Sequence, residues 1–332
     1  MPRSTLASRR FPRFAWAVAA LNLAVVLGGA VVRATGSGAG CGNHWPRCNG
    51  ELIPTSPGVH TAIEFTHRAM TGADVAMVAV LVVWAFRRFA RRHPARLASA
   101  LSAVFLISEA LIGAGLVLFD QVGQNASPSR AWWLSGHFLN TLALLAFPAL
   151  TAWWGAGHAP PRWKNYTGPA AIIAAALSLA AMAFLGISGV IAALGDTLYP
   201  SATLSAGLAQ DFAPTANFWV RLRLFHPVIA AAVAAWLAWY AISNMVRRPV
   251  LRPRAVPLLA LIAAQIIAGV ANLLLLAPVW MQIVHLLLAD LVWISLVIFC
   301  VEVLSLPATR PMGETLAANT IGTTGGAPEC KS

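Results

Sequence analysis

The sequence predicts an all-α membrane protein, with eight transmembrane helices arranged as two repeated four-helix bundles. Three observations carry this. Hydrophobic residues make up 58% of the 332 and charged residues only 10%, where a soluble domain averages about a quarter charged. Eight apolar stretches each reach the roughly 20 residues that cross a bilayer core. Polar residues recur at matching places in the first four and the last four stretches.

The first stretch, 14 to 32, follows a basic tail (1–13). No small-x-small cleavage site leading into a soluble domain comes after it, so it reads as a span and not as a signal peptide. The others run 62 to 86, 97 to 119, 131 to 154, 168 to 193, 218 to 246, 255 to 277 and 279 to 305. After about 306 the chain is rich in Thr, Gly, Ala and Pro, without apolar periodicity, and reads as a disordered tail.

The net charge of +12 raises nucleic acid as a partner, but the basic residues alternate between loops and form no continuous footprint. Arg3, Arg9, Arg10 and Arg13 precede the first span. Arg87, Arg88, Arg91, Arg92 and Arg96 link the second to the third, and Arg247, Arg248, Arg252 and Arg254 link the sixth to the seventh. Arg162, Lys164, Arg310 and Lys331 fall on the same side, leaving only Arg33, Arg47, Arg68, Arg130, Arg221 and Arg223 opposite. The positive-inside rule then places both termini in the cytoplasm of a multi-pass cell-membrane protein and excludes a nucleic-acid function.

Two of the four cysteines, Cys41 and Cys48, lie in the first outer loop, in GCGNHWPRCNG. That side is oxidising, so a close pair there can form a disulfide. The spacing does not match the paired CxxC units of structural zinc. A redox role for the pair stays open. Cys300 reads as an apolar filler and Cys330 as an incidental thiol.

The repeat is read from offsets. Glu109 precedes Gly113 by four and Gln265 precedes Gly269 by four, 156 positions later. Trp132 precedes His137 by five, as Trp280 precedes His285, 148 positions later, and His67 answers to His226 at 159. Four crossings return the chain to its starting side, so two halves of parallel topology follow, 14–155 and 156–305.

Of eight histidines, His44, His60, His93 and His158 fall in loops or at helix edges. The other four are the repeat-related ones, and each half supplies one from its second helix and one from its fourth, just after the chain enters from outside. An ionisable side chain at that depth faces the bundle interior with a partner. One alone is as well explained by a hydrogen bond to a neighbouring helix. Two opposed imidazoles in apolar surroundings, twice over, suit six-coordinate haem iron, and dinuclear metal sites would want more carboxylates. Arg68 adjoins His67, while Arg221 and Arg223 precede His226 by five and three. They suit anionic haem propionates, although arginines that snorkel to the headgroups would look similar.

Glu64 lies one turn before His67, and its counterpart before His226 is Arg223, so a carboxylate stands by one pair only. Proton transfer and a plain Glu64–Arg68 helix pair explain it equally well. Glu109 and Gln265 read as interhelical hydrogen-bonding residues at close contacts. Asp74 and Asp290 could serve proton or hydrogen-bond relays.

These residues together resemble the haem A synthase family: RATGSGAGCGNHWPRCNG after the first span, IEFTHR at the second, FHP at the sixth, and a histidine opening the fourth and eighth. The resemblance covers 14 to 305 and implies oxidation of the C8 methyl of haem O to a formyl group, giving haem A for cytochrome oxidase. It implies His67 and His137 as ligands of the substrate haem, His226 and His285 as ligands of a resident haem b, Glu64 as the catalytic carboxylate, and a Cys41–Cys48 disulfide. The second outer loop, about 194 to 217, has no cysteine, unlike some members. As partners the family implies the haem O synthase and oxidase assembly factors, and it leaves self-association open; the haem sites would lie toward the outer side. The alternative is a dihaem b-type membrane electron-transfer protein, which would need neither Glu64 nor the cysteine loop. A repeat-built transporter with proton-coupled histidines is a further rival.

Overall fold

A computed structural model describes residues 4–162, 168–214 and 218–307. Arg3, Lys164, Arg310, Cys330, Lys331 and the tail read as disordered lie outside these residues. Ten α-helices follow in order: α1 (Ser4–Ala34), α2 (Val59–Arg88), α3 (Pro94–Leu118), α4 (Pro128–Gly155), α5 (Pro169–Leu198), α6 (Leu204–Phe212), α7 (Phe218–Arg223), α8 (Phe225–Arg247), α9 (Arg252–Leu274) and α10 (Val279–Ser305). Eight helical stretches among the described residues are long and apolar enough to cross a membrane. The chain is an all-α, multi-pass membrane protein.

Local chemistry sets the helix ends. Pro94, Pro128 and Pro169 open α3, α4 and α5, where a missing N–H costs nothing and a fixed φ suits the first turn. The span expected over 218–246 is instead broken at Leu224. Pro227 explains the break, because it has no N–H to give the carbonyl of Arg223 and its ring crowds that carbonyl. The span expected to 277 ends at Leu274, since Leu276 and Ala277 take positive φ (60° and 50°) and Pro278 follows. There the Ala277 N–H returns to Asn272 O at 2.8 Å. The end of α3 is built the same way: Asp120 has φ 53° and Gln121 N–H returns to Leu116 O at 2.8 Å. Both closures satisfy carbonyls orphaned at a helix end.

The expected outer loop 194–217 is shorter and more ordered than a loop. Helix α5 runs on to Leu198, and α6 packs against α7, with the Thr203 hydroxyl capping Ala206 N–H at 3.1 Å.

The bundle centre is one apolar cluster drawn from both ends of the chain. Leu142, Leu145 and Ala146 of α4 meet Met182 of α5, Leu237 and Tyr240 of α8, Leu258 of α9, and Leu296, Phe299 and Cys300 of α10. Cys300 is a buried free thiol within it. A second cluster joins Phe11, Ala15 and Val18 of α1 to Val78, Leu81 and Ala85 of α2 and Leu106 of α3. Lipid tails are as apolar as these side chains, so helix association also draws on polar ties. Two cross between the ends of the chain: Trp293 Nε1 donates to Leu142 O at 2.7 Å, and Arg33 donates to Ala193 O, Thr197 Oγ1 and Gln282 Oε1 at 2.8–3.0 Å.

Candidate functional site

The four histidines stand one on each of α2, α4, α8 and α10. The fold groups them in pairs: His67 lies within electrostatic reach of His137, and His226 of His285.

Glycine on a neighbouring helix makes room for three of the rings. A Cβ at Gly29 of α1 would sit 3.2 Å from His67 Cε1, and one at Gly28 would sit 3.3 Å from its Nδ1. On α5 a Cβ at Gly189 would be 3.1 Å from His226 Cε1, and on α9 one at Gly269 would be 3.1 Å from His285 Cε1. Each imidazole thus rests on bare helix backbone. The sequence reading attached Gly269 to packing alone; the glycines of α1 and α5 were legible only as small residues.

Hydrogen bonding then separates the rings. Ser188 Oγ donates to Leu185 O at 2.6 Å and lies 2.9 Å from His226 Nδ1. With its proton so used, the serine accepts from Nδ1–H, which leaves the Nε2 lone pair of His226 for a ligand. Among the described residues the buried Nδ1 atoms of His67, His137 and His285 have no hydrogen-bond partner. His137 Nδ1 lies 3.3 Å from Glu109 Oε2, near but out of line, and His285 Nε2 lies 3.3 Å from Gln265 Nε2. Glu109 and Gln265 therefore do bridge adjacent helices, and each touches a histidine, which their sequence spacing did not reveal.

Glu64 is buried at 3% exposure. Its Oε1 receives Arg68 at 2.5 Å, and its Oε2 receives the backbone N–H of Cys41 at 2.8 Å. Arg68 also donates to His44 O and Arg47 O at 2.7 and 2.8 Å. Cys41 and Cys48 form a disulfide, and both are buried. The loop between α1 and α2 is further tied to α2 by Thr61 Oγ1 on Gly40 O and by Ser37 Oγ on His60 Nδ1, at 2.7 and 2.9 Å. The helix pair and a loop anchor thus occur together at Glu64.

At the end of α7 Arg223 is held by two carboxylates, Asp211 at 2.5 Å and Asp196 at 3.3 Å. Among the described residues Arg221 donates to the carbonyls of Ala213 and Pro214. Asp196 and Asp211 escaped the sequence reading because their partner lies 27 and 12 positions away. Asp74 and Asp290 are fully buried; Asp74 Oδ1 receives Asn22 Nδ2 at 3.0 Å, and the Oδ2 atoms of both acids have no partner.

Fold and site together define a multi-pass helical membrane protein with two histidine pairs lodged in its bundle. Residues 12–297 match the profile of the cytochrome oxidase assembly protein family, and the chain belongs to that family. It is 46% identical over 309 residues to a protein of Thermus thermophilus named protohaem IX farnesyltransferase, covering 92% of this chain and 50% of that one. It is 43% identical over 99 residues to a haem A synthase of Alkalihalophilus pseudofirmus, and 44% over 108 residues to one of Lysinibacillus sphaericus. These shorter matches cover 30% and 32% of this chain and 33% and 35% of the relatives. The chain spans about half the length of the Thermus relatives it matches.

Proposed function

We propose that the chain acts as a haem A synthase, oxidising the C8 methyl of haem O to a formyl group. The observation that carries this reading is the set of four bundle-lodged imidazoles, paired as His67 with His137 and His226 with His285, each keeping a ring nitrogen outside the protein's own hydrogen bonding. A buried polar atom left unpaired costs about 1–3 kcal/mol, and a bond to haem iron would relieve that cost. A porphyrin brings four donors of its own, so two histidines suffice; among the described residues no group of three or more His, Cys, Asp or Glu gathers for a bare metal ion.

In this reading residues 14–155 hold haem O between His67 and His137, and residues 156–305 hold haem b between His226 and His285. Two matched features support two halves: the same α3 and α9 helix closure 156 positions apart, and the glycine seats of His67 and His226 on α1 and α5. Bound haem supplies one-electron iron chemistry at both pairs. Methyl to formyl, with water supplying the oxygen, gives up four electrons to an external one-electron acceptor and four protons to water or protein, and Glu64 is the buried carboxylate that would take a proton. Arg221 donates to neutral carbonyls and keeps its charge for a propionate, whereas Arg68 already shares its charge with Glu64. Arg223, already facing Asp211 and Asp196, is the weaker candidate.

The farnesyl transfer in the name of the Thermus relatives we assign to the half of those proteins that this chain does not span. A haem O synthase and oxidase assembly factors are the expected partners. Both termini face the cytoplasm of a bacterial-type cell, with the haem sites toward the outer side.

The test is expression in a host that makes haem O but no haem A, followed by chromatography and mass analysis of extracted haems. Haem A from the native chain, absent with Glu64→Ala, is the expected result. A folded, haem-loaded native chain yielding only haem B and haem O would overturn it in favour of a dihaem electron-transfer protein.

A further inference from the structure

The two histidine pairs differ in what stands behind one imidazole of each. In the first half, α3 and α4 enclose the Glu109 carboxylate in a polar clamp. Asn140 Nδ2 donates to Glu109 Oε2 at 2.6 Å and to Phe105 O at 2.8 Å, while its Oδ1 accepts from Ser108 Oγ at 2.6 Å. Both amide hydrogens and the amide oxygen are thereby used, so Asn140 has one orientation and presents a donor to Glu109. Thr141 Oγ1 holds the other carboxylate oxygen. The carboxylate is fixed with Oε2 at 3.3 Å from His137 Nδ1, close but out of line, so that a small turn of the imidazole completes the hydrogen bond.

At the corresponding positions of the second half, offset by 156 on α9 and 148 on α10, Ala264 stands for Ser108, Gln265 for Glu109, Leu288 for Asn140 and Ala289 for Thr141. The clamp is gone. Gln265 brings an amide nitrogen within 3.3 Å of His285 Nε2, and its Oε1 is buried without a partner. One half thus sets a fixed carboxylate beside its imidazole, the other only a neutral amide.

Resting on the reading that both pairs ligate haem iron, we propose that Glu109 is a positioning residue that accepts the Nδ1–H of His137 and makes that imidazole the stronger electron donor, giving the first-half haem the lower reduction potential. A carboxylate behind a ligating histidine fixes its tautomer and raises its basicity, and hydrogen bonding behind an axial ligand is one of the protein's levers on haem potential. The asymmetry favours the oxidised iron where His137 binds and the reduced iron where His285 binds. Ser108, Asn140 and Thr141 are the device that holds a carboxylate at that depth, since one without partners in lipid is costly.

The bland alternative is that Glu109 only staples α3 to α4. Redox titration of the purified full chain loaded with iron protoporphyrin IX separates the two, because a staple has no reason to move a potential. Glu109→Gln keeps an oxygen for Asn140 but removes the carboxylate. The expected result is a rise of the first-site potential equivalent to about a tenfold shift in the ferric-to-ferrous ratio, about 59 mV for one electron, with the second site unmoved. The reciprocal Gln265→Glu should lower the second-site potential and leave the first alone. It also keeps the proposal testable if Glu109→Gln does not fold. An unchanged first-site potential in folded Glu109→Gln, or an unchanged second-site potential in Gln265→Glu, with bis-histidine optical spectra retained, would overturn it. His137→Ala reports separately on the underlying reading: if it removes no haem and leaves the spectrum as it was, His137 is not a ligand at all.

Discussion

Glu64 accepts the backbone N–H of Cys41 at 2.8 Å, so the carboxylate one turn from His67 also anchors the disulfide loop. A substitution that deletes the side chain therefore disturbs loop and site together. Glu64→Gln separates them, because an amide oxygen still accepts the Cys41 N–H while its charge and proton affinity are lost. We expect Glu64→Gln to fold with the disulfide formed and to yield no formyl haem when extracted haems are analysed. Undiminished conversion would reduce Glu64 to an anchor.

Arg68 joins three acceptors, Glu64 Oε1, His44 O and Arg47 O. A guanidinium serves all three from one planar fork, whereas a lysine ammonium is a point charge that cannot. Hydrogen bonds to charged groups contribute about 1.5–3 kcal/mol each. Arg68→Lys should therefore raise amide hydrogen exchange across residues 41–51 about tenfold or more and leave α4 unchanged. Equal exchange in both proteins would mean that the remaining loop ties, Thr61 on Gly40 and His60 with Ser37, are sufficient.

The Cys41–Cys48 bridge closes a short loop, for which chain entropy gives roughly 2–3 kcal/mol. Replacing both cysteines by serine should lower the thermal midpoint of the detergent-solubilised protein by several degrees. If conversion of haem O persists below that midpoint, the bridge is structural. Loss of conversion in a protein that keeps both haems would assign it redox work.

How much of this was legible follows from range. The eight spans were readable because a bilayer demands long apolar stretches, whatever packs beside them. The break at Leu224 was written in Pro227, but an FHP motif reads first as a ligand and only then as a helix fault. The four histidines stood out because ionisable groups are rare at that depth. Their partners did not: Glu109 and His137 sit on neighbouring helices whose relative rotation no spacing fixes, and Asp211 meets Arg223 only because α6 packs against α7. Likewise Glu64 could be paired with Arg68 from helix geometry, yet the Cys41 N–H came from a loop that has no period to read.

The glycine seat of His226 gives the sharpest test of how rigidly the rings are held. A Cβ at Gly189 would lie 3.1 Å from His226 Cε1, and the ring cannot easily retreat, because its Nδ1 is tied to Ser188 on the next residue of the same helix. Alanine favours a helix over glycine by about 0.8–1 kcal/mol in water, and a weakened Ser188 bond costs about 0.5–1.5 kcal/mol. The two nearly cancel in stability, so the thermal midpoint of Gly189→Ala should stay close to the native value. The change should appear at the site, as haem affinity at the second pair reduced several-fold or an altered optical spectrum. Gly72 on α2, with nothing within 4 Å of its would-be Cβ, supplies the control. Gly72→Ala takes the same helix gain and should leave both haems alone. Equal occupancy and identical spectra in the two variants would mean that His226 is not seated by its contact with α5.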